Sequence, residues 1–105
     1  MLLKNKTSVV TGCNRGIGKK ILEEFSKNGS DIFACVRSLD ENFKKITKEL
    51  EAKYKNKIYP IQIDLSDEES VKNAGKNILS NNVNIDILIN NAGSIDTSIF
   101  QMTSI

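Results

Sequence analysis

The chain has 105 residues, 39% hydrophobic and 27% charged, and its 15 basic and 13 acidic side chains leave a net charge of +2. That is material for one domain, or for part of one, with an ordinary charged surface and no compositional support for nucleic-acid binding. With no histidine and only two cysteines, Cys13 and Cys35, the stretch excludes Ser-His-Asp and Cys-His catalysis, most zinc sites and a secreted disulfide scaffold.

Thr7 to Thr11 (TSVVT) is short, β-branched and stopped by Gly12, as suits a strand buried on both faces. Ile17, Ile21, Leu22 and Phe25 then form one helical stripe, which Asn28-Gly29 should end. Asp31 to Val36 (DIFACV) reads as a second strand. Ser38-x-x-Glu41 has capping-box spacing, and the helix it would open carries Phe43, Ile46, Leu50 and Tyr54 at intervals of three and four. Ile58 to Ile63 (IYPIQI) is a third strand, and Pro60, unable to donate to a ladder, argues that it lies at a sheet edge. A second capping box, Ser66-x-x-Glu69, precedes a helix with Val71, Ala74, Ile78 and Leu79 on one side, and Ile85 to Asn90 (IDILIN) is a fourth strand.

Strands alternating with helices, β-α-β-α-β-α-β, imply parallel pairing through right-handed crossovers. The expected fold is therefore α/β, the first half of a Rossmann-type doubly wound parallel sheet, with strand order 3-2-1-4. That order puts the third strand at the edge, where Pro60 is tolerated.

Between the first strand and the first helix stands Gly12-Cys13-Asn14-Arg15-Gly16-Ile17-Gly18, a G-x-x-x-G-x-G loop. Such a loop lets backbone approach a pyrophosphate at a helix N-terminus, where unpaired N–H groups and the helix dipole favour an anion. The bland alternative is a flexible strand-to-helix turn. A nucleotide-hydrolysing P-loop is disfavoured, because Gly18-Lys19-Lys20 lacks both the hydroxyl and the upstream spacing.

Together with Asp64-Leu65 after the third strand and Asn90-Asn91-Ala92-Gly93 closing the fourth, the loop Thr11-Gly12-x-x-x-Gly16-Ile17-Gly18 resembles the short-chain dehydrogenase/reductase family over essentially the whole chain. Within that family the Cys-Asn-Arg-Gly-Ile-Gly version is similar to 3-oxoacyl-acyl carrier protein reductases and related ketoreductases. The resemblance implies an oxidoreductase moving hydride between a nicotinamide and a carbonyl or hydroxyl substrate, either a small molecule or an acyl-carrier-linked one. It implies cofactor contacts from Gly12, Asn14, Arg15, Gly16, Ile17 and Gly18 in the loop. Asp64 and Leu65 would meet the adenine, and Asn91, Ala92 and Gly93 the nicotinamide-side ribose. Asp64 could instead form an Asx turn into the helix after Ser66.

An NAD site usually carries an acidic residue about 20 positions beyond the glycine loop. Here the second strand ends Cys35-Val36-Arg37, with no acid, and the chain's two arginines stand at Arg15 and Arg37. A guanidinium fork matches a 2′-phosphate, so NADP(H) is expected over NAD(H), the alternative being two solvated loop charges. Cys13 and Cys35 are most simply small buried residues, and no metal site is expected.

The family's catalytic Ser, Tyr and Lys find no match: the residues four beyond Tyr54 and Tyr59 are Ile58 and Ile63, so there is no Tyr-x-x-x-Lys. Residues 1–105 are therefore expected to be the amino-terminal, cofactor-binding part of a single NAD(P)-binding domain, inactive alone. Ile95, Ile99, Phe100, Met102 and Ile105 would then lack packing partners, while the full-length protein would be a cytoplasmic homo-oligomer without membrane contacts. A noncatalytic NADP(H)-binding or regulatory module, or a phosphate-binding module of another α/β family, is the alternative.

Overall fold

The two adjacent valines of β1 (Thr7–Thr11) point to opposite faces of a sheet, yet both are fully buried in the computed structural model, which describes residues 2–91. A strand buried on both sides needs helices on both sides. These are α1 (Gly16–Lys27), α2 (Glu41–Tyr54) and α3 (Glu68–Leu79), alternating with β2 (Asp31–Val36), β3 (Ile58–Gln62) and β4 (Ile87–Ile89). The strands pair in parallel in the order β3-β2-β1-β4, as the Rossmann reading expects.

Val9 packs with Phe33, Cys35, Ile61 and Ile63 against Val71, Ala74 and Ile78 of α3. Val10 packs on the other face with Ile32, Ala34, Val36 and Ile58 against Leu22 of α1 and Phe43 of α2. The edge position of β3 follows its chemistry: Pro60 has no N–H, and the Ile58 N–H is taken by Glu51 Oε2 at 2.7 Å.

Several local expectations are corrected. Neither serine caps its helix. Asp40 Oδ1 accepts the Phe43 N–H at 2.8 Å, and Asp67 Oδ1 accepts those of Glu69 and Ser70 at 3.0 and 3.4 Å. A charged acceptor at a dipole's positive end outcompetes a nearby hydroxyl, and Ser66 Oγ is already engaged, donating to Asp64 Oδ1. The buried stripe of α1 runs Gly18, Leu22, Ser26, leaving Ile17 71% exposed. Leu79, at the end of α3, is 38% exposed. The fourth strand is shorter than expected, although the Asp86 N–H already donates to the Thr7 carbonyl at 2.8 Å. The expectations for Ala92, Gly93, Ile95, Ile99, Phe100, Met102 and Ile105 lie outside the described residues.

Candidate cofactor site

The turn from β1 into α1 depends on glycine at two left-handed positions, Gly12 at φ 67° and Gly16 at φ 58°. Gly18 serves a different end. A Cβ there would strike the Gly12 carbonyl and come 2.6 Å from Asn91 Nδ2, so the missing side chain lets α1 seat directly on the loop. The end of β4 is tied to the same loop. The Asn91 N–H donates to Thr11 Oγ1 at 3.0 Å, Asn91 Nδ2 to the Gly12 carbonyl at 3.4 Å, and the Thr11 hydroxyl to Asn90 Oδ1 at 3.2 Å.

Arg15 occupies the N-cap of α1 in extended backbone, its side chain makes no cap hydrogen bond, and the first turn holds no acidic residue. The leading N–H groups of a helix have no partners within it. These groups border a cavity of about 860 Å³ off the carboxyl ends of β1, β2 and β3. Ligands of open α/β sheets bind at that end of the strands.

Across the cavity, Arg37 leaves the end of β2 with its side chain 80% exposed, and its Nη2 lies 3.9 Å from Asp64 Oδ2. Asp64 is fixed more firmly. Its Oδ1 accepts from the Ser66 N–H at 3.0 Å and the Ser66 hydroxyl at 2.6 Å, while its own N–H donates to Ser70 Oγ at 2.8 Å. The Ser66 hydroxyl first, then its backbone N–H and the Arg37 charge, hold the Asp64 carboxyl below its ordinary pKa. Burial has the opposite sense for the thiols, pushing Cys13 up to about 12 and Cys35 higher still. Both stay protonated at neutral pH and offer no nucleophile.

The family model for short chain dehydrogenase matches residues 6–104. This chain belongs to the short-chain dehydrogenase family. It is 36% identical over 103 residues to a 3-oxoacyl-[acyl-carrier-protein] reductase of Aquifex aeolicus, covering 98% of this chain and 41% of that protein. It is 34% identical over 91 residues to an NADP-dependent 3-hydroxy acid dehydrogenase of Schizosaccharomyces pombe, covering 87% of this chain and 35% of that one. Among solved structures, the L-sorbose reductase of Gluconobacter frateurii, complexed with NADPH and L-sorbose, superposes with a TM-score of 0.79 at 29% identity. That match spans 88% of this chain and 35% of the reductase. The chain thus covers well under half the length of these family members.

Of the residues singled out from sequence, Gly12, Asn14, Arg15, Gly16, Ile17, Arg37, Asp64, Leu65 and Asn91 line the one cavity. Gly18 stands behind the loop, and Ala92 and Gly93 are outside the described residues. Cys35, Val36, Ile63 and Ser66 also line the cavity and were not anticipated. Cys35 and Val36 close β2, so the strand-end rule was the signal available for them. Among the described residues no His, Cys, Asp or Glu cluster could hold a metal, and no helix is long and apolar enough to cross a membrane.

Proposed function

We propose that residues 1–105 form the cofactor-binding part of an NADP(H)-dependent oxidoreductase. The observation that carries this reading is that both arginines of the chain line the same cavity as the uncapped start of α1. The residues present suit a dinucleotide carrying an extra phosphate. The N–H groups at Gly16 and Ile17 would receive the pyrophosphate, and beyond its chain neighbours and its own helix backbone nothing lies within 4 Å of where a Gly16 Cβ would stand. Arg15 and Arg37 would take the 2′-phosphate. Asp64 and Leu65 would border the adenine, Ile17 would offer an apolar contact, and Asn91, Ala92 and Gly93 would serve the nicotinamide-side ribose. Gly18 contributes by seating the helix. When bound, NADPH supplies a hydride for a carbonyl of a small or acyl-carrier-linked substrate.

The preference for NADP(H) over NAD(H) is supported by an arginine, rather than an acid, immediately following β2. It is also supported by the NADPH and NADP named for relatives of the same family. Lacking Tyr-x-x-x-Lys, the 105 residues are proposed to bind cofactor without reducing a ketone, and the whole enzyme to work as a cytoplasmic homo-oligomer. A noncatalytic NADP(H)-binding or regulatory module is the second reading. Sequencing the coding DNA past codon 105 separates the two: a downstream Ser and Tyr-x-x-x-Lys selects the enzyme.

Calorimetric titration with NADPH and NADH tests the site. Arg37→Ala should weaken NADPH by about 10- to 150-fold, the value of a charge-assisted hydrogen bond, with little change for NADH. Equal losses for the two cofactors would overturn the preference. Uptake of neither by the parent chain would overturn the reading itself.

A further inference from the structure

Arg37 carries the cofactor preference in the reading above, yet little holds it in place. Its side chain is 80% exposed, and its partner among the ion pairs is Asp64 Oδ2, 3.9 Å from Nη2. A guanidinium on a flexible stem meets an anion well only when its fork is already aimed.

Asp64 is built to do the aiming. It follows β3 on the neighbouring strand, and three hydrogen bonds fix it: two from Ser66 onto Oδ1, and one from its own N–H to Ser70 Oγ. With Oδ1 committed to the turn, Oδ2 faces across the cavity mouth to Arg37. A single contact through Nη2 leaves the donors on Nη1 and Nε for a second anion.

We propose that Asp64 is a positioning residue: its carboxylate, locked by Ser66, holds the Arg37 guanidinium across the cavity mouth and thereby raises the preference for a 2′-phosphorylated adenine dinucleotide. The inference rests on the NADP(H) reading of the site. It differs from a direct contact between Asp64 and the adenine amino group, which is common to both cofactors and would be lost equally for both. It differs also from a simple counter-charge, which would repel the phosphate.

Asp64→Asn removes the charge while keeping an acceptor for the Ser66 turn. Calorimetric titration of NADPH and NADH against the parent chain, Asp64→Asn, Arg37→Ala and the double variant decides the matter. The expected result is that Asp64→Asn weakens NADPH by about 2- to 5-fold more than it weakens NADH, the range of an exposed ion pair. In the Arg37→Ala background Asp64→Asn should leave the NADPH:NADH ratio where Arg37→Ala put it. Ser66→Ala, which keeps the charge and loosens its anchor, should give a smaller loss of the same kind, and decides the question should Asp64→Asn fail to fold. Equal losses for both cofactors, a gain for NADPH, or an undiminished effect without Arg37 would each overturn the proposal. If Arg37→Ala leaves the NADPH:NADH ratio unchanged, the reading of Arg37 falls and this inference with it. If Arg37→Ala collapses the ratio while Asp64→Asn and Ser66→Ala do not, only the role of Asp64 is lost.

Discussion

At the start of α3, Asp67 accepts two backbone N–H groups and Glu68 and Glu69 fill the first turn; at the start of α1 the N-cap is Arg15, which caps nothing, and no acid follows. The start of α2 resembles that of α3, with Asp40 bonded to the Phe43 N–H and Glu41 next in line. Of the three helices among the described residues, two have a side chain accepting from their leading amides and balance the positive end of the dipole with carboxylates. The third adds a guanidinium to that positive end and faces a cavity. On the proposed reading, local stability is completed where the helix only folds and withheld where an anion would be received.

Turning the α1 start into a copy of the other two gives the largest expected effect. Arg15→Asp should cap the helix and raise stability by about 0.5–1 kcal/mol in urea denaturation. NADPH affinity should fall about 100-fold or more, because a repelling carboxylate then occupies the same amides. A variant that gains stability and still binds would show that the amides at α1 are not the phosphate site.

Next in size is Gly18→Ala, which forces a Cβ onto the Gly12 carbonyl and Asn91 Nδ2. It should cost about 1–3 kcal/mol of folding stability. Gly16→Ala meets nothing within 4 Å beyond its chain neighbours and own helix backbone and carries only the penalty of φ 58°, about 1 kcal/mol. Comparable unfolding midpoints for the two variants would refute the different roles assigned to these glycines. At the opposite pole of the comparison, Asp40→Ala and Asp67→Ala should each lower stability by about 1 kcal/mol and leave NADPH titrations unchanged.

These contrasts also mark where the sequence could be read. Strand order, parallel pairing and the edge position of β3 followed from alternating periods and from Pro60, which are local or topological signals. The loop glycines announced themselves by spacing, but the work of Gly18 depends on the fold of the loop, which brings the Gly12 carbonyl onto it, and also on Asn91, far along the chain. Cys35 and Val36 entered the cavity wall for a similar reason, since strand pairing decides which residues end beside the glycine loop. The caps were misassigned because Ser and Asp stand close together before α2 and α3, and the choice between two acceptors turns on charge and backbone geometry. Asp64 was open to two readings, an adenine contact and an Asx turn, and the structure shows the turn, with the Ser66 N–H and hydroxyl both donating to Oδ1.

Asp64 also links the two regions, its Oδ1 in the turn leading toward the α3 cap and its Oδ2 facing Arg37, and it supplies the smallest expected effect. Its folded-state pKa lies below the ordinary value of 3.8. A depressed carboxylate contributes stability that is present above its unfolded pKa and is lost as pH falls through the folded one. The difference in thermal midpoint between the parent chain and Asp64→Asn should therefore be constant near neutrality and shrink once the pH drops below 3.8. Because two hydrogen bonds from Ser66, at 2.6 and 3.0 Å, hold the carboxylate while the exposed Arg37 nitrogen stands 3.9 Å away, most of the difference should survive 1 M salt, where the screening length is about 3 Å. A difference abolished by salt would transfer the stabilisation to Arg37, and the turn into α3 would then owe little to the carboxylate that begins it.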